Sequence, residues 1–208
     1  STPLGLFLEE VSNVLPSNLN VNFSSTAINE GGSITLDGSF SDPGVLDTHE
    51  VRIDWGDGSP QEVISLAAGV TSFAGLSKLT HAYPDDPNLG PDEYMVTITV
   101  TDDDEPLSPI EISQTVAVNN AIPSGIVLSA SPTVILETGT VTLGGSFIDS
   151  GIFDSHRVFV DWGDGESETV VDLAEGVTTF AGLQHQYADD PAVGSTFLIT
   201  VRVNDNDA

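Results

Sequence analysis

Apolar and polar residues alternate with period two along most of the chain. Val51, Ile53 and Trp55 alternate with Arg52 and Asp54, and Val158, Val160 and Trp162 alternate with Phe159 and Asp161. Tyr94, Val96, Ile98 and Val100 form another row, echoed by Phe197, Ile199, Val201 and Val203. Successive side chains of an extended chain point to opposite faces, so each row predicts a strand with one buried face. Residues 109–118 predict a further strand, and helical spacing is confined to a weak pattern in Leu4–Glu10. Gly, Pro and Asp clusters break the runs. The fold class predicted is all-β, with antiparallel sandwiches.

The pattern occurs twice. Ile34-Thr-Leu-Asp-Gly-Ser-Phe40 returns 107 positions later as Val141-Thr-Leu-Gly-Gly-Ser-Phe147. At the same offset, Asp47-Thr-His49 falls on Asp154-Ser-His156, and Ile53-Asp-Trp-Gly-Asp-Gly58 on Val160-Asp-Trp-Gly-Asp-Gly165. A short deletion then shifts the frame, and His81-Ala-Tyr83 meets His185-Gln-Tyr187. Asn13-Val-Leu-Pro-Ser17 aligns with Asn120-Ala-Ile-Pro-Ser124, which joins the two repeats. The expected organisation is therefore a first sandwich over 18–119 and a second over 120–208 that lacks its last strand. Residues 1–17 read as the remnant of a preceding repeat and its linker, as in a piece cut from a longer array. An unpaired sheet edge recruits other chains. Residues 1–14 are accordingly expected to supply a strand to a neighbouring molecule.

The residues Trp55-Gly-Asp-Gly-Ser59, His81-Ala-Tyr83 and Tyr94-Met-Val-Thr-Ile-Thr-Val-Thr-Asp102 resemble the polycystic kidney disease (PKD) domain. Trp162-Gly-Asp-Gly165, His185-Gln-Tyr187 and Val201-Arg-Val-Asn-Asp205 repeat the likeness, which covers about residues 18–208. The Trp-Gly-Asp spacing is one residue shorter than the commonest family form, a variant similar to repeats of large bacterial surface proteins, and Phe197 stands where Tyr is usual. The resemblance implies two tandem Ig-like sandwiches, an extracellular, secreted or cell-surface location, and a role in adhesion, spacing or display, with calcium bound in some members.

Charge narrows the partners. Four basic residues face 32 acidic ones, a formal charge of −28. Such a surface repels nucleic acid and anionic membranes and attracts cations. No apolar run reaches the ~18 residues that cross a bilayer, and no signal peptide is visible, so membrane insertion is not expected. The chain has no cysteine, which removes disulfides, thiol catalysis and thiolate metal sites.

Several motifs invite chemistry and read more simply. No Lys or helical pattern follows Gly56-Asp57-Gly58 or Gly163-Asp164-Gly165, so these are not phosphate cradles. They read as strand-ending turns in which Gly allows positive φ and Asp57 or Asp164 bonds nearby amides. Trp55 and Trp162 lie on apolar strand faces, which predicts core packing over sugar stacking. With His81, Tyr83, His185 and Tyr187 they form a structural motif. His49 and His81 fall near opposite ends of a sandwich, which argues against a convergent zinc site. No motif of a nucleophilic, zinc-dependent or glycosidic hydrolase is present, and the chain reads as non-enzymatic.

The acidic loops carry the sharper hypothesis. Asp42 and Asp47 precede the third strand of the first repeat, and Asp102 and Asp104 follow its sixth. Asp149, Asp154, Asp205 and Asp207 repeat the set, and Asn120 can add an oxygen. In an Ig-like sandwich these loops share one end. Clustered carboxylates repel unless a cation neutralises them, and calcium accepts six to eight oxygens in flexible geometry. A plain acidic, solvated surface stays open as the other reading. Strand direction puts Asp57, Asp85 and Asp86 at the far end of the first repeat, an acidic face meeting the Asp149/Asp154 end of the second. The expected function is a calcium-stiffened spacer or adhesion segment of a bacterial surface protein, bound to neighbouring repeats and to a protein or glycan ligand. The alternative is an accessory substrate-binding module of a secreted hydrolase.

Overall fold

The computed structural model describes residues 11–86, 91–189 and 196–207. The weak helical pattern and most of the expected exchangeable strand fall in residues 1–10, outside the described residues. The protein is an all-β sandwich fold with antiparallel sheets, and no α-helix occurs among the described residues. The chain divides into two compact units: 1–26 with 33–81 and 94–116, and 27–32 with 82–93 and 117–208.

In chain order the first nine strands are β1 (Ser17–Phe23), β2 (Ala27–Asn29), β3 (Gly32–Ser41), β4 (His49–Asp54), β5 (Glu62–Leu66), β6 (Ser72–Phe73), β7 (Thr80–Tyr83), β8 (Asp92–Asp102) and β9 (Ile110–Asn119). In the first unit β3 pairs with β1, β6 and β7, and the facing sheet runs β9-β8-β4-β5. The alternating rows turn inward as their period requires: Val51, Ile53 and Trp55 of the β4 row and Val96, Ile98 and Val100 of β8 are buried. Val116 of β9 and Ile34, Leu36 and Phe40 of β3 fill the same core. Burying each such side chain contributes about 1.5–3 kcal/mol.

The second unit contains β2, which runs parallel to the end of β9 from the Ala27–Ala117 pair to Asn29–Asn119. It continues with β10 (Ser124–Ser131), β11 (Thr140–Ile148), β12 (His156–Asp161), β13 (Thr169–Leu173), β14 (Thr179–Gln186) and β15 (Thr200–Asp205). One sheet is ordered β10-β11-β14 and the other β13-β12-β15. Val141, Leu143, Val158, Val160, Trp162, Phe180 and Tyr187 make the core. The row Phe197, Ile199, Val201 and Val203 is only half-buried. Among the described residues β15 pairs with β12 alone, so no strand stands where β9 covers the corresponding row of the first repeat.

Candidate metal centres

Two turns hold the strand ends through the same contacts. Gly56 and Gly58 have φ of +82° and +81°, and Gly163 and Gly165 have +78° and +84°. A Cβ on Gly56 would lie 2.6 Å from the Met95 carbonyl oxygen, and one on Gly163 would lie 2.6 Å from that of Leu198. Asp57 accepts the Ser59 amide at 3.0 Å and pairs with His81 at 2.7 Å. Asp164 accepts the Glu166 amide at 3.1 Å and pairs with His185 at 2.6 Å. Each histidine stacks on the tryptophan of its repeat, at 4.8 Å for Trp55 and 4.7 Å for Trp162. The Tyr187 hydroxyl donates to the Trp162 carbonyl. Burial pushes the Asp57 carboxyl up, but hydrogen bonds from Ser59 and His81 outweigh it and the net shift is downward. Asp164, His185 and exposed Glu166 could converge on a metal. The first repeat, however, builds the same clamp with Ser59 in the place of Glu166.

The first acidic cluster lies in the first unit. Asp42 accepts the Gly44 amide at 2.7 Å and pairs with His49 at 2.9 Å. Asp102, at the end of β8, accepts the Asp104 amide at 2.9 Å and the Asn13 side-chain amide at 3.0 Å. Oxygens of Asp47, Asp102 and Asp104 lie within 4.8 Å of one another. Asp104 is exposed and Asp47 half-buried, so this cluster is open to water on one side. Desolvation and the charges of Asp102 and Asp42 raise the Asp47 carboxyl above the usual range.

The second cluster lies wholly within the second unit and repeats that scaffold. Asp149 accepts the Gly151 amide at 3.1 Å and pairs with His156 at 2.8 Å, while Asp205 accepts the Asp207 amide at 3.2 Å. It is also enclosed. Asp154 is 0% exposed, Asp205 and Asp207 each 8%. Three carboxylates from the first repeat join it. Glu30, 2% exposed, accepts the amides of Ala121 at 2.8 Å and Asp86 at 3.4 Å. Asp86 is itself fully buried. Oxygens of Glu30, Asp149 and Asp154 form one trio within 4.8 Å, and those of Asp85, Asp154 and Asp207 another.

Several buried oxygens of this cluster lack a donor. Neither oxygen of Asp86 has a hydrogen-bond partner, those of Asp154 meet only the carboxyls of Asp85 and Asp207, and one buried oxygen on each of Asp85, Asp205, Asp207 and Asn120 lacks a donor. Burial first, and then the charge of Glu30, pushes Asp154 strongly upward and Asp86 up to about 7. Glu30 and Asp207 are raised as well, with burial the leading cause. None of the four basic side chains offsets them. Arg52 pairs with Glu50, Lys78 with Glu62, Arg157 with Asp172 and Arg202 with Glu168.

Gly44 and Gly151 complete the cradles. A Cβ on Gly44 would fall onto an Asp47 carboxylate oxygen, and one on Gly151 would fall onto that of Asp154 and 2.6 Å from Glu30. The carboxylates fold over bare backbone. The structure thus gathers Asp42, Asp47, Asp102 and Asp104 in one place and Asp149, Asp154, Asp205 and Asp207 in another, with Asp85 and Asp86 beside the latter. Asp57 is engaged in its turn. Sequence reasoning missed Glu30, for which the available signal was the repeated Glu-x-Gly of Glu30–Gly32 and Glu137–Gly139. No family model matches the chain, and no curated protein matches it.

Proposed function

We propose that the chain is a non-catalytic, extracellular segment of a bacterial surface protein, made of PKD-type Ig-like repeats and stiffened by calcium. One observation carries this reading: buried carboxylates surround Asp154 with no Lys or Arg among them, His156 pairs with Asp149 alone, and the oxygens of Asp154 meet only other carboxyls. Two like charges about 5 Å apart repel by about 3 kcal/mol at an effective dielectric of ~20. Several such pairs are tolerated only when protons or a cation neutralise them. Calcium suits an all-oxygen set of carboxylates and an Asn carbonyl, whereas zinc favours nitrogen and sulfur, and magnesium demands octahedral geometry and keeps its water. Glu30, Asp149, Asp154, Asp85 and Asp207 are the ligands, and Asn120, next to the Ala121 amide that binds Glu30, has a buried unpartnered side-chain oxygen.

Glu30 and Asp85 come from the first repeat, and Asp149, Asp154 and Asp207 from the second. A bound cation therefore ties both lengths of chain to the Asn120–Ser124 connection, as a spacer or adhesion segment needs. Glu137 and Asp189 stand at the positions of Glu30 and Asp85, so an array of such repeats carries the same half-site onward. The hydrolase-accessory alternative needs an exposed aromatic face, and Phe159 lies under the Arg202 guanidinium at 4.2 Å. Isothermal titration of calcium into the chelator-stripped chain tests the proposal. Binding at roughly 0.1–1 mM, as in extracellular calcium modules, with magnesium weaker and Asp154→Asn suppressing the enclosed site, is expected. No heat and no uptake up to about 10 mM calcium would contradict it.

A further inference from the structure

The enclosed cluster holds more ligand oxygen than one cation uses. Glu30, Asp85, Asp86, Asp149, Asp154, Asp205 and Asp207 are seven carboxyl groups, and with all of them ionised one divalent ion would leave five negative charges. The oxygens also fall into two groups. Glu30 and Asp149 converge on Asp154 within 4.8 Å, and so do Asp85 and Asp207, but the two trios share only Asp154. Asp154 is fully buried, and beyond its carboxyl–carboxyl contacts with Asp85 and Asp207 neither oxygen has a donor. A carboxylate contributing to one ion through one oxygen would leave the other oxygen unsatisfied, a cost of about 1–3 kcal/mol or more for a charged group.

We infer that Asp154 bridges two calcium ions, one held with Glu30 and Asp149 and the other with Asp85 and Asp207. This rests on the calcium reading above and deepens it from one cation to a pair. The scaffold favours the bridge. Glu30 is fixed by the amides of Ala121 and Asp86, and Asp149 by Gly151 and His156, so one ligand side is rigid before any ion arrives. Asp207 is held on its other side, with its amide donating to Asp205 and one oxygen accepting from Asn206. In the first-repeat cluster, among the described residues, Asp47 stands where Asp154 does, and the two convergent trios, Asp47 with Asp104 and Asp42 with His49, share Asp102 instead.

Native mass spectrometry of the whole chain, with calcium uptake counted by isothermal titration, tests this. Asp47→Asn with Asp104→Asn first removes the contribution of the open cluster. In that background the chain should bind two calcium ions. Adding Glu30→Gln should leave one, and adding Asp154→Asn should leave none, with the β-sheet circular dichroism spectrum unchanged. One ion in the background, unaffected by Glu30→Gln, would overturn the bridge and spare the calcium reading. No ion in the background or in the unsubstituted chain would overturn both. If Asp154→Asn fails to fold, the Glu30→Gln count alone decides between one ion and two.

Discussion

Gly44 and Gly151 have no left-handed backbone, yet neither position has room for a side chain, because the carboxylates of Asp47 and Asp154 occupy the space of a Cβ. Gly151→Ala should push Asp154 out of its place and weaken calcium binding at the enclosed cluster by about 10–100-fold, the usual cost of disturbing the support of metal ligands. Titration calorimetry reads it directly, and an unchanged affinity would mean that Asp154 is not a ligand. The buried carboxyls themselves set a pH dependence. Asp86 rises from 3.8 to about 7 in the folded chain, and Glu30, Asp154 and Asp207 move the same way. A carboxyl whose folded value is raised binds its proton more tightly folded than unfolded. Its contribution is complete below about 3.8 and is lost as pH climbs through about 7, by at most about 1.4 kcal/mol per pH unit for each group. The calcium-free chain should therefore melt several degrees lower near pH 8 than near pH 5. Saturating calcium should flatten that slope, since the cation replaces the protons. A calcium-free melting point that holds steady across this range would contradict the assignment.

The strands were the most legible level of the chain. The rows Val51/Ile53/Trp55 and Val96/Ile98/Val100 announce their buried faces by alternation alone, and the run over 109–118 becomes β9. The Asp-to-Asp register of the acidic loops was legible as well, because the repeat doubles each position and the sandwich brings those loops to one end. Glu30 was not: it is one acid among 32, on a short β2–β3 turn, and only its contacts with Ala121 and Asp86 single it out. The half-burial of Phe197 and Ile199 was equally hidden, since alternation reports which face turns inward and not what covers it. At the turn, Trp162 stacks on His185 and its indole donates to Thr169 at 2.8 Å. Trp162→Ala should cost about 3–5 kcal/mol by leaving a large cavity, and Asp164→Ala about 1–3 kcal/mol by stranding the His185 and Glu166 donors. Both are read by denaturant unfolding. Neither should change calcium affinity in the folded protein, because the turn shares no residue with the carboxylate cluster.

Across the whole molecule a formal charge of −28 leaves folding to work against self-repulsion, and the basic residues are each committed to a surface pair. A divalent ion at the enclosed cluster would relieve that repulsion where it is least screened, beside Ala121, whose amide donates to Glu30. The connection from Asn120 to Ser124 should then resist a broad-specificity protease in calcium and be cut in chelator, with mass spectrometry locating the cut. The measurement that bears most directly on the account is thermal unfolding in chelator against about 10 mM calcium, with magnesium at matched ionic strength. Binding at roughly 0.1–1 mM predicts about 1.4–2.7 kcal/mol of stabilisation per site. For a unit of about 100 residues each kcal/mol raises the midpoint by about 4–8 °C, so a calcium-specific rise near 10 °C or more is predicted, and Asp154→Asn should reduce it. A midpoint that rises no further in calcium than in magnesium would contradict the central claim, leaving the sandwiches intact and their acidic loops without a cation.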